Sequence, residues 1–345
     1  MPDKPKPPEP VRKIAAPEIQ YALALSRDGS RCFLGGAAGT VFDIDLAGSQ
    51  PKADPRWHEH SYVAALAMLE GEVEQPALVT ARYDGSIAWH DPQDTRLIRR
   101  IERAHAGWIR ELIVLPGGKL LATAGDDMLV KIWDATSGKS LQYFAGHATE
   151  TPQGYVSALY TIAATPDGQA LASADRAGEV RLWSLADGTE SGRFRAADFY
   201  TFDPEKRDRS LGGIRRVRFS PDGVKLAIAG IGAVTNVDGF VGPARIEIWD
   251  WKSGQRLAVL QDNHQGVLND VLWSADGSEV VAAGGGDGGG VILGWKVDGK
   301  EPLFKVKLDG HVQRLARPVG GQLVAAGHGG LTLWDPTTFP PLKPS

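Results

Sequence analysis

A chain of 345 residues with 42% apolar content can bury a substantial core, either as two average domains or as one large closed β architecture. Its 38 basic and 42 acidic residues leave a net charge of only −4, which argues against a nucleic-acid backbone or an anionic membrane as partner. The lone cysteine, Cys32, excludes a disulfide within this sequence.

Residues 1–10, MPDKPKPPEP, are half proline with no apolar run, and they read as a disordered tail on a soluble, cytoplasmic chain. The next run, VRKIAA from Val11 to Ala16, stands before the first recognisable unit. From Tyr21 onward the apolar residues alternate in short stretches: YALALS, LLATAG at Leu120, VKIWD at Val130, KLAIAG at Lys225, LTLWD at Leu331. Period two bounded by Gly, Asp and Pro predicts strands joined by tight turns, so the chain is read as all-β.

A longer period decides the architecture. Turn phrases recur as SRDG at Ser26, a degenerate LEGE at Leu69, LPGG at Leu115, TPDG at Thr165, SPDG at Ser220, SADG at Ser274 and PVGG at Pro318. Such phrases supply a preset φ, a side-chain-capped turn and a residue that tolerates positive φ. Downstream of each lies a run ending in Trp-Asp or a relic of it, at Asp45, Asp91, Asp134, Ser184, Asp250, Lys296 and Asp335. There are thus seven units, with a spacing mostly in the forties.

On these phrases the chain resembles the WD-repeat family of β-propellers over residues 11–336. The resemblance implies a single seven-bladed propeller of four-stranded antiparallel blades. It also implies a buried relay in well-formed repeats, from a His before the first strand through a Ser or Thr and a turn Asp to the Trp. His105, Thr123, Asp127 and Trp133 fall in those positions. A partial version is expected at His60, Thr80 and Asp84, with His90 where the Trp would stand. Elsewhere the turn acid is replaced, for example by Ala38, Ala177, Pro243 and His328, which predicts blades held by apolar packing. The last unit stops after its third strand and residues 337–345 are proline-rich, so the Val11–Ala16 run is expected to complete the last blade as its outermost strand.

Chemical motifs are weak against this background. SGKS at Ser137 lacks the glycine and following helix of a phosphate loop and reads as a hairpin turn. GGGDGGG, Gly284 to Gly290, reads as a long flexible turn that could cradle an anion. His58 and His60 have metal-ligand chemistry but no third and fourth ligand, and no nucleophile motif occurs. No catalysis, metal or cofactor is therefore expected.

Extra length gathers on blades four to six, in the connections that share one face: 147–158, 196–213, 230–244 and the glycine run. These carry Tyr155, Phe199, Tyr200, Phe202, Arg207, Arg209 and Phe240, residue types enriched at protein interfaces. The competing reading is that the aromatics anchor their own loops. The favoured function is a non-catalytic scaffold presenting this face to a protein or peptide, as a monomeric propeller within a larger complex. The alternative is an enzyme or small-molecule binder using the central channel, for which the turn positions supply too few acids.

Overall fold

The computed structural model describes residues 8–71, 75–204, 208–239, 241–286, 288–318 and 321–339. Alternating residues place one side of each run against the next sheet, and the described strands form seven four-stranded antiparallel sheets and one two-stranded hairpin. The seven sheets are the blades, each running from an inner strand to an outer one. The inner strands are Gln20–Leu25, Val63–Leu69, Ile109–Val114, Leu159–Ala164, Ile214–Phe219, Val267–Trp273 and Val312–Ala316.

The expected ring closure is present. Pro10–Ala15 pairs antiparallel with Gly330–Trp334, with Ile14 opposite Leu331, and completes the seventh blade. The strand begins one residue before the predicted run. After the last strand the chain stays docked, because Phe339 is buried edge-on against Phe304 and near Trp334. Residues 1–7 and 340–345 of the two expected tails lie outside the described residues.

Each inner strand breaks register near its start, between its first and third residues in six blades, as at Ile109/Glu111 and Ile214/Arg216, and between Leu268 and Asp270 in blade six. A bulge of this kind re-aims the residue that follows it. The seven residues after the breaks are Ala22, Ala65, Glu111, Thr161, Arg216, Asp270 and Arg314, one layer around the central channel.

The glycine run corrects the sequence reading. It is mostly strand, not turn: Glu279–Gly286 pairs with Gly289–Lys296, with Gly285 opposite Gly290 and Gly286 opposite Gly289. A Cβ on Gly284 would collide with the Val267 carbonyl oxygen, and one on Gly286 with that of Gln265. Glycine is used here for close backbone approach, so blade six contributes no long loop to the elaborated face.

Candidate interaction face and central channel

In blade three the predicted relay residues come together. His105 Nδ1 lies 2.7 Å from Asp127 and Nε2 lies 2.7 Å from the Thr123 hydroxyl, which also accepts from Trp133 Nε1 at 2.9 Å. The carboxylate can only accept, so Nδ1 carries a proton and donates it to Asp127. Burial pushes the Asp127 carboxyl up, but the His105 hydrogen bond and charge outweigh it and hold the group below its ordinary range. Gly125 makes room for the ring, since a Cβ there would stand 2.8 Å from Nδ1.

Blade two differs from the sequence reading. His60 is exposed, and the relay slot belongs to its neighbour Glu59, fully buried. The Glu59 carboxylate accepts from Thr80 Oγ1 at 3.2 Å, His90 Nε2 at 3.0 Å, Arg100 at 2.8 Å, Trp57 Nε1 at 3.3 Å and Arg82. Burial alone would raise its pKa, yet the His90 hydrogen bond and the charges of Arg82, His90 and Arg100 hold it at about 2. Asp84 makes no contact with this carboxylate; it caps its own turn through the Ser86 N–H at 3.0 Å.

Blade four carries a complete relay that the sequence reading missed. His147 spans Asp175 at 2.9 Å and Ser173 at 2.8 Å, and Trp183 donates to Ser173 at 2.8 Å. The acid sits two residues after the hydroxyl rather than four, in the strand and not at Ala177. Both imidazole nitrogens are committed, which leaves the His147, Asp175 and Glu179 cluster without a free histidine ligand for a metal.

The inserted connections on blades four and five lock together. Tyr200–Asp203 and Arg209–Gly212 form a hairpin between these blades. Tyr200 donates to Gln153 at 2.6 Å, Tyr155 to the Asp208 carboxylate at 3.0 Å, and Arg209 reaches Asp238 at 3.1 Å. The Tyr155 and Phe202 rings lie 6.1 Å apart. Phe199 was expected at the partner surface but is 1% exposed. The short 3-10 turn Ala197–Phe199 aims its ring inward among Ala174, Val180 and Ile214. Arg207 and Phe240 lie outside the described residues.

A second feature of this face had no signal in the repeat phrases. Tyr21, Tyr62, Tyr83 and Trp108 follow one another around blades one to three at ring separations of 6.5, 5.5 and 5.1 Å. Arg110 then lies 4.0 Å over Trp108 and 4.9 Å over Tyr160, and Arg215 lies 5.5 Å over Tyr160. Arg215 also donates to Gly212 O at 2.7 Å, joining the arc to the hairpin. Tyr62 and Tyr83 are about half exposed, at 48% and 52%. These residues sit at inner-strand starts and second-strand ends, some 20 to 50 positions apart in sequence, so only the ring brings them together.

Below this rim the channel holds a charged layer. Arg216 bridges Glu111 across the channel and approaches Asp270 at 3.1 Å, while Arg218 lies 3.5 Å from Asp270. Asp270 also accepts from the Leu315 N–H at 3.0 Å. Burial alone would raise its pKa, but Arg216, Arg218 and Arg314 keep it low. A cavity of about 540 Å³ runs from this layer toward Pro116 and Pro166, in the turns on the face opposite the loops.

The family described as "WD domain, G-beta repeat" matches residues 96–134 and 138–184, the stretches that hold the relays of blades three and four. The chain is 26% identical over 275 residues to telomerase protein component 1 of Rattus norvegicus, covering 76% of this chain and 8% of that protein. It is 28% identical over 203 residues to the small ribosomal subunit protein RACK1y of Oryza sativa subsp. japonica, covering 56% of this chain and 49% of that protein. A third relative, cilia- and flagella-associated protein 52 of Chlamydomonas reinhardtii, is 30% identical over 110 residues, 32% of this chain and 17% of its own length. The chain thus spans under half the length of each of these three relatives. Seven four-stranded blades and ring closure through the N-terminal strand make this chain a seven-bladed β-propeller, and two of its blades match the WD-repeat family and carry complete relays.

Proposed function

We propose that this propeller is a non-catalytic interaction module that binds a protein or peptide on the face bearing the inter-blade connections of blades four and five and the aromatic arc. The observation that carries the reading is the continuity of that face. Half-exposed Tyr62 and Tyr83 lead through Trp108, Arg110, Tyr160 and Arg215 into the locked hairpin, with Val156 73% exposed at its edge. Aromatic rings and planar guanidiniums give contact area at low entropy cost, and an arc spanning several blades suits an extended partner. Tyr155, Tyr200, Phe202 and Arg209 largely hold the loops to one another, so they shape the face more than they supply free contacts. The relatives named for ribosomal and telomerase components agree with a role inside assemblies.

The test is recovery of bound proteins on three immobilised forms. The pair Tyr62→Ala and Tyr83→Ala should weaken the specific partner by about 2 kcal/mol, roughly thirtyfold. The pair Lys252→Ala and Gln255→Ala, in the turn after the third strand and at the first residue of the outer strand on the opposite face, should leave recovery unchanged. Loss with the second pair and retention with the first would reverse the assignment of the face.

A further inference from the structure

The charged layer of the channel is unbalanced. Three guanidiniums, Arg216, Arg218 and Arg314, face two carboxylates, Glu111 and Asp270, which leaves one positive charge in excess. Arg216 and Arg218 already lie within ion-pair distance of those carboxylates. Among the described residues Arg314 has no carboxylate within ion-pair distance, only the longer-range attraction of Glu111 and Asp270; its hydrogen bond is to the neighbouring Gln313 carbonyl, at 3.1 Å. Burial and the nearby charges of Arg216 and Arg218 pull its pKa down to about 10. Arg216 Nε and Arg218 Nε are buried donors without a hydrogen-bond acceptor among the described residues. Below the layer the walls turn apolar, with Ala24, Ala67, Ile113, Leu272 and Ala316.

From this arrangement we propose that the channel, entered from the turn face, binds a small monocarboxylate with an apolar body, its carboxylate held by Arg314 beside Arg218. A single negative charge would neutralise the excess, and the planar fork of a guanidinium matches a carboxylate in two parallel hydrogen bonds. The apolar walls exclude water from the body of the ligand and strengthen the ionic contact. The same chemistry is offered by a free small acid or by the carboxylate end of a partner chain entering the channel. The site is independent of the loop-face reading, because it opens on the other side of the disc.

Calorimetry on the full chain with benzoate and benzamide tests it. Benzoate should bind with Kd of about 1 mM or tighter, and the uncharged amide at least about tenfold more weakly. Arg314→Met should remove the preference for the acid, Arg314→Lys should keep part of it, and Tyr62→Ala with Tyr83→Ala should leave it intact. Acetyl-Leu-Ala-Leu with a free carboxylate, beside its amide, separates the sources: tighter binding than benzoate points to a partner's chain end, weaker binding to a free acid. Equal binding of benzoate and benzamide to the unaltered protein would overturn the proposal without any variant. So would a folded Arg314→Met that binds benzoate as the unaltered protein does, or absence of benzoate binding at about 10 mM, tenfold above the expected Kd.

Discussion

Blades two and three fill one interior slot with opposite chemistry. In blade three a histidine stands between an acid and a hydroxyl; in blade two an acid gathers a hydroxyl, a histidine and two arginines. The backbone frame is shared, since Glu59 N donates to Gly39 O as His105 N donates to Gly85 O, and Thr80 and Thr123 hold matching strand positions. What the fold requires at this slot is a satisfied polar cluster rather than a particular residue, because an unpaired group there would lose its hydration without replacement. Blade six shows the third outcome: its Trp295 is fully buried with no acceptor for the indole N–H among the described residues.

Removing the hub of blade two should have the largest effect. Glu59→Ala would leave buried Arg82 beside His90 and Arg100 without their counter-charge, and about 4 kcal/mol of stability should be lost in denaturant titration. A loss below about 1 kcal/mol would mean that the carboxylate is replaceable by water. Asp127→Ala in blade three removes one acceptor from a smaller cluster and should cost about 2–3 kcal/mol. An effect larger than that of Glu59→Ala would invert the ranking of the two slots.

Acid titration sharpens the contrast. Glu59 is depressed from 4.5 to about 2 on folding, so its contribution is present above pH 4.5 and is lost as pH falls from there toward 2. Asp127 is also depressed, with the same sign. In Glu59→Gln the fall in melting temperature over that window should therefore be shallower than in the unaltered protein. An identical acid profile would remove Glu59 from the account. The smallest effect is expected at His60, exposed and outside the slot: His60→Ala should change stability by less than about 0.5 kcal/mol.

That last pair shows why the sequence reading slipped by one residue. In the phrase HEH, histidine type favoured His60, but the hydrogen bond from Glu59 N to Gly39 O sets the register, and one step along an extended chain turns a side chain to the other side. Blade four slipped for a related reason: the acid was sought at the turn position of Ala177, whereas Asp175 reaches His147 from within its strand. Phe199 has an interface residue type in a long connection, yet a single 3-10 turn sends it into the core.

By itself the sequence determined the seven blades, the strand that closes the ring and the relay of blade three, because turn chemistry, alternation and the His, Thr, Asp and Trp spacing are local patterns repeated along the chain. Only the tertiary structure decided the aromatic arc and the charged channel. Their members come one or two from each blade, tens of residues apart, and become neighbours when the ring closes and each bulge aims the next side chain inward. Glu111 and Arg216, 105 positions apart in sequence, meet across the channel for that reason.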